Sequence, residues 1–366
     1  MMLDRQHHLP LVATTRGEAA PARWRAVSDT RLSRAARVAG LVMIAGLVAL
    51  PLVASRTLLQ DLFFVFTMLT LAQLWNVLAG WGGLVSVGQQ AFVGLGAYAL
   101  FAAIGLGDTD PVLAIALAAG VSAVVAALIG PLLFRLEGPY FAIGSWVAAE
   151  SLRLACAQLK SLGGGTGMSL QASIYTRLPG LKAAQALYGT RPAVARDIVL
   201  YLLALALAVA VTGAIYRFVK SRHGLALTAS RDNAGAARSV GVRTERIRYL
   251  LWITVGSATG AVGALIYLQK ARISPDAAFS VTDWTAYVLF VVVIGGVRTI
   301  EGPVVGVLLL WGLVFYLAQY GSLYLLVLGV IAILIMLFTP KGIWGTAAQR
   351  WNWRLFPTQR RLLRDA

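Results

Sequence analysis

Cysteine and histidine are almost missing from this chain of 366 residues, which has one cysteine, Cys156, and three histidines, His7, His8 and His223. A single cysteine excludes an intrachain disulfide and any metal cluster built from cysteines. The histidines all fall outside the apolar runs and have no nucleophile–base grouping around them, so an enzyme embedded in a membrane finds little support. No G-x-x-x-x-G-K-[ST] phosphate loop occurs in the chain. Charge is also sparse. Only 13% of residues are charged, and 15 acidic side chains stand against 32 lysines and arginines.

What remains is apolar. Hydrophobic residues make up 58% of the chain, and the mean hydropathy is +0.75. A water-soluble domain of this length does not have that balance, so the expected fold class is an all-α polytopic membrane protein. The net charge of +17 invites a nucleic-acid reading, but its distribution argues against one. Arg5, Arg16, Arg23, Arg25, Arg31, Arg34 and Arg37 precede the first apolar run, and Lys341, Arg350, Arg354, Arg360, Arg361 and Arg364 follow the last. This pattern marks cytoplasmic ends, with a lipid bilayer rather than nucleic acid as the partner. The first apolar run begins late, near Val38, without a small-residue cleavage site. A cleavable leader is therefore not expected.

A spanning helix needs about 20 mostly apolar residues, which predicts about ten helices, with eight to eleven compatible. They cover Val38–Ala54, Leu58–Ala79, Ala91–Gly105, Val112–Phe134, Tyr140–Gln158, Ala195–Val219, Ile247–Leu268, Trp284–Ile294, Pro303–Ala318 and Leu323–Phe338. With both termini cytoplasmic, the inside loops hold 21 lysines and arginines and the outside loops seven, as the positive-inside rule requires. The expected division is a basic N-terminal tail over 1–37, a membrane domain over 38–340 and a basic C-terminal tail over 341–366. Two long loops stand out, an outer one at 159–194 and an inner one at 220–246. Loops of that size in a compact membrane protein point to function.

Several stretches carry candidate chemistry. Residues 76–100 read NVLAGWGGLVSVGQQAFVGLGAYAL, in which glycines crowd an apolar run and Ser86, Gln89 and Gln90 add polar groups. Glycine permits bends and close helix approach, so the stretch fits either the lining of a passage, with Gly88 at its turn, or a tight helix–helix contact. Glu150 and Arg153 share one helical face inside a predicted span, as a gating pair or a structural one. Tyr140 sits near that helix start as an interface anchor or a gate. Gly82–Gly83 and Gly295–Gly296 form a faint internal echo. Trp24, Trp344, Trp351 and Trp353 are expected at the membrane surface. The inner loop, SRHGLALTASRDNAGAARSVGVRTERIRYL from Ser221, contains an Ala-rich segment predicted as one short helix from Leu225 to Val240, bracketed by Gly224 and Gly241.

Taken together, these motifs resemble the permease subunits of bacterial ABC importers for branched-chain amino acids. The motifs are GGLVSVGQQAFVGLGAYA at 82–99, GPYFAIGSWVAAE at 138–150, GGGTGM at 163–168, GLAL…RDN…AARSVGV in the inner loop, GGVRTIEGPVVG at 295–306 and TPKGIWG at 339–345. Their order and spacing fit the M-type, LivM-like subunit. The resemblance implies a bacterial inner-membrane protein that forms a heterodimer with an H-type permease. Two cytoplasmic ATPases would bind below it, and a periplasmic solute-binding protein would deliver substrate. ATP and Mg would sit on the ATPases, with no cofactor, catalytic residue or metal site in this chain. By position, Gly224, Arg231, Asp232, Asn233, Ala236, Ala237 and Gly241 would form the coupling segment that docks on an ATPase. Gly164, Gly165 and Thr166 would meet the binding protein. Ser86, Gly88, Gln89, Gln90, Tyr140 and Glu150 would border the translocation path. Leu225, Ala234 and Gln89 depart from residues common in the family (Arg, an acid and His). Relatives of this type also carry urea, short amides and other small solutes. A self-contained secondary transporter or channel is the alternative, which would need an ion-coupling constellation around Glu150, Arg153, Asp61 and Asp197.

Overall fold

The computed structural model describes residues 24–27, 31–189, 191–232, 234–239, 241, 243–321, 323–351, 355–356 and 361–364. Helix dominates. In chain order the helices are α1 (Arg31–Ala49), α2 (Arg56–Asn76), α3 (Gln89–Gly105), α4 (Pro111–Leu133), α5 (Pro139–Ala157), α6 (Leu181–Tyr188), α7 (Pro192–Lys220) and α8 (Arg222–Asp232). They continue with α9 (Ala234–Ser239), α10 (Thr244–Lys270), α11 (Pro275–Ala278), α12 (Tyr287–Gly295), α13 (Gly302–Leu317), α14 (Leu323–Phe338) and α15 (Gly342–Arg350). Among the described residues, seven helical runs are long and apolar enough to cross a membrane, and the shorter α3 and α13 are also apolar.

Local sequence explains the boundaries. Ser55 caps α2 by accepting from the Leu58 amide at 3.3 Å, and Asp110 caps α4 by accepting from the Val112 amide at 3.1 Å. Proline opens α4, α5 and α7, where its missing N–H is not needed. α1 begins at Arg31, within the expected tail. Two helices pass through a π turn, Val77–Trp81 after α2 and Thr282–Ala286 before α12.

The core is built on α10, which packs on α3 and α4, and on α2, which packs on α7, α10, α12 and α13. Lipid tails are as apolar as leucine, so tight association in a bilayer depends on small residues that let backbones meet. Gly96 and Gly260 are such a pair, because a Cβ on Gly96 would run into the Gly260 carbonyl. Gly263 lies likewise against the Val93 backbone, and Gly260 against Ser122. By contrast, α1, α4 and α14 leave rows of large apolar side chains exposed, including Leu41, Val124, Leu128 and Leu337.

The connections carry the remaining structure. The outer loop is ordered into short turns, α6 and a two-residue strand, Met168–Ser169, paired antiparallel with Arg272–Ile273. Trp24–Val27 and Arg361–Arg364 also pair antiparallel, which sets the two tails side by side. The inner loop is helical over α8 and α9, on either side of residue 233, which lies outside the described residues.

Candidate functional site

The glycine-rich stretch is a break between α2 and α3. The chain leaves α2 through the π turn at 77–81 and reverses at Gly83, whose φ of +71° favours glycine. It then runs without regular structure to α3. Its polar groups face protein. Ser86, Gln89 and Gln90 are 1%, 2% and 2% exposed. The Trp75 indole donates to the Ser86 carbonyl at 2.8 Å, and the Gly88 amide donates to the Ser86 hydroxyl at 3.2 Å. The Gln89 amide donates to the Thr259 hydroxyl on α10 at 2.9 Å. The Thr285 hydroxyl, in the second π turn, donates to Gln90 Oε1. Gly88 lies so close to α5 that a Cβ there would collide with the Ser145 carbonyl. The Ser145 hydroxyl also accepts from the Val87 amide at 3.0 Å. The break is therefore pinned to α5, α10 and the second π turn.

Asn76, at the end of α2, carries no functional signal in the sequence. Its side-chain amide donates to the Thr299 carbonyl at 2.7 Å, and its Oδ1 accepts from the Arg298 amide at 2.9 Å. Gln73, one turn earlier, donates to the Ile300 carbonyl at 2.7 Å. These contacts clamp the loop between α12 and α13 onto α2. The two glycine pairs noted in the sequence, Gly82–Gly83 and Gly295–Gly296, thus belong to loops that meet at one end of the bundle. Gly296, with φ +128°, lies against Gly342 at the start of α15. Glu301 in the same loop accepts from the Phe356 amide at 2.8 Å. Burial pushes its carboxyl above the ordinary range, opposed by that amide.

The inner-loop residues divide. Gly224 is buried at the α7–α8 corner, where a Cβ would collide with the Phe218 and Val219 carbonyls. Arg231 donates from Nη1 to the Gly80 carbonyl and so ties α8 to the first π turn. Leu227 and Ser230 are buried, and Ala237 on α9 is 4% exposed. Asp232 ends α8 and Ala236 lies in α9. Asn233 lies outside the described residues. Gly241 is exposed, with φ +80° in a turn before α10. Leu225, by contrast, is 59% exposed.

At the opposite end, Glu150 and Arg153 form the pair that their spacing predicts, with Nη2 to Oε1 at 2.6 Å. Arg153 also reaches Asp276 on α11 at 2.7 Å, a partner far away in sequence. Tyr140, Ile143, Trp146, Val147 and Leu154 are exposed along α5, with Tyr140 at the far end of the helix from this cluster. Gly165 and Thr166 lie exposed in the outer loop beside Gly164, and the Thr166 hydroxyl donates to the Gly163 carbonyl at 2.9 Å. Nearby, Asp197 on α7 is buried and holds Arg56 at 2.6 Å and Arg196 at 3.1 Å.

Residues 57–339 match the family model described as "Branched-chain amino acid transport system / permease component". The chain is 29% identical over 283 residues to the high-affinity branched-chain amino acid transport system permease protein LivM of Salmonella typhimurium, a match that covers 73% of this chain and 65% of the relative. It is 26% identical over 313 residues to the Escherichia coli LivM, covering 81% of this chain and 72% of that one. A probable LivH permease of Methanocaldococcus jannaschii is 29% identical over 136 residues, 34% of this chain and 42% of that protein. No solved structure matches the chain. The chain belongs to the branched-chain amino acid transport system permease family.

Proposed function

We propose that this protein is the transmembrane permease subunit of an ATP-driven ABC importer that carries branched-chain amino acids or a related small polar solute such as urea or a short amide. In this reading it sits in a bacterial inner membrane with both termini cytoplasmic. It pairs with an H-type permease, rests on two ATPases that hold ATP and Mg, and receives substrate from a periplasmic binding protein. The observation that carries the mechanism is the bond from Arg231 to the Gly80 carbonyl. It gives the inner-loop helices a rigid connection to the π turn that opens the glycine-rich break. Movement imposed on α8 by an ATPase would reach the α2–α3 break, and through Asn76 the α12–α13 loop. A rigid element that biases a two-state passage is a sufficient physical basis for coupling.

The same reading assigns roles by exposure. Ser86, Gln89 and Gln90 are enclosed and hold the break in shape. The exposed α5 face with Tyr140, Trp146 and Glu150 borders the passage, which the second permease completes. An ion pair at membrane depth is costly against lipid and belongs on a protein or aqueous face. Gly164, Gly165 and Thr166 meet the binding protein. The decisive experiment is uptake of radiolabelled leucine into proteoliposomes that contain the two permeases and the binding protein, with and without the ATPases. Uptake should require the ATPases and internal ATP. Uptake that persists without them overturns the importer reading in favour of a self-contained transporter.

A further inference from the structure

An apolar cavity of about 720 Å³ opens between α2, α7 and α10 at the end of the bundle where the inner loop lies. Its deep walls are Leu74, Val77, Val255 and Ala258, and its mouth is ringed by His223, Arg243 and Arg246. Along α10 it extends from position 243 to 258, which at 1.5 Å per residue is roughly 22 Å. The mouth residues are exposed. Neither Arg243 nor Arg246 is in an ion pair among the described residues, and Glu245, the acid of that turn, is not part of the wall. Arg243 also stands at the N-terminus of α10 without a side-chain cap, so the positive end of the helix faces the same opening.

We propose that this cavity is a binding site for an anionic phospholipid, with one acyl chain between α7 and α10 and the phosphate held by Arg243 and Arg246. Two observations select this occupant. The groove is long, about 22 Å along α10, and apolar over the depth of an acyl chain, and its charge is confined to one end at the membrane surface. A basic pocket between spanning helices at that level has the chemistry of an anionic headgroup site. A docked soluble protein would reach the mouth but has no reason to match the apolar depth around Leu74 and Ala258. The inference needs only the membrane placement of α7 and α10 and is independent of the solute carried.

The test is native mass spectrometry of the full-length protein in mild detergent, titrated with dioleoyl phosphatidylglycerol or dioleoyl phosphatidylethanolamine. Phosphatidylglycerol should bind roughly thirtyfold more tightly, the scale set by about 1 kcal/mol for each of two basic side chains near the surface. The R243Q/R246Q double variant should bring the two lipids to within about twofold of each other. Ala258→Trp, which fills the apolar end, should weaken both lipids together. Inorganic phosphate in excess should not displace the bound lipid, because it lacks the chain. Equal affinity for the two lipids, or a preference that survives the double variant, overturns the site. A photo-crosslinking residue at Thr254, on the cavity wall, gives a second readout in intact membranes. Phospholipid adducts support the site, and adducts to a protein partner in their place overturn it.

Discussion

At the scale of single residues, Asn76 satisfies two backbone groups of a distant loop with one amide. Asn76→Ala leaves a part-buried carbonyl and N–H without that partner, and an unsatisfied buried group costs about 1–3 kcal/mol. The expected loss is about 2–3 kcal/mol in a denaturant titration of the detergent-solubilised protein; a shift below a tenth of that would show that the clamp is dispensable. Asp197 is a parallel case, since its carboxylate is enclosed while Arg56 and Arg196 stay partly in solvent. Removing one partner of a fully buried pair costs about 3–5 kcal/mol, and the exposure of the arginines brings Asp197→Ala down to about 1–2 kcal/mol. Asp197 is visible in the sequence as an acid near the end of a span. Its partners are 141 residues away for Arg56, 137 for Gln60 and adjacent for Arg196, and the first two need the fold. Asn76 carries no local signal at all, because the loop it holds lies more than 220 residues further on.

At the scale of elements, the glycines of α3 act as contact points. Gly96→Val puts a branched side chain against the Gly260 backbone, and overpacking of this kind costs about 1–3 kcal/mol or more. Thermal unfolding should fall accordingly, while Gly46→Val on α1, where a Cβ meets nothing within 4 Å, should leave it unchanged. If the two variants unfold alike, the α3–α10 contact is not close. The inner loop makes a similar division. Ala237 is buried against its own chain and Leu225 is exposed. Ala237→Arg should therefore disturb α9 itself, whereas Leu225→Asp should leave the unfolding transition in place and weaken ATPase copurification several-fold. Copurification that is unaffected by Leu225→Asp would move the docking surface away from α8. The Ala-rich composition marks this loop as helical, but which alanine faces inward depends on α7, α10 and the π turn beside it.

At the scale of the whole molecule, the exposed faces differ in kind. α14 presents uniformly apolar side chains, among them Leu326, Leu337 and Phe338, which suit lipid. α5 presents aromatic and apolar side chains around the Glu150–Arg153–Asp276 cluster, which does not. In a chain with Cys156 replaced by serine, Val147→Cys should crosslink to the proposed second permease in native membranes and Leu337→Cys should not. The reverse pattern would reassign the subunit interface. The segments that the sequence places as spans are found as helices, apart from shifts at their ends and the π turns. The excess of basic residues in the inner loop is also plain in the sequence, but the cavity beside Arg243 and Arg246 is not.

Composition and charge position by themselves determine that this is a helical, multi-pass membrane protein, and the ordered motifs suffice to place its family. Both are local properties: hydropathy is summed over a span, and a motif is read from neighbouring residues. Whether the glycine-rich stretch lines a passage or packs against protein is not a local property, because glycine serves a bend and a close approach equally well. The tertiary structure puts Gly88 against Ser145, Gly96 against Gly260 and Gln89 against Thr259. It also supplies what no spacing rule could: the reach of Arg231 to Gly80 across 151 residues, the hold of Asn76 on the α12–α13 loop, and the pairing of Arg153 with Asp276. Each of these depends on which helices lie side by side, and in a bilayer that choice is made by surface shape and hydrogen bonding rather than by hydrophobicity.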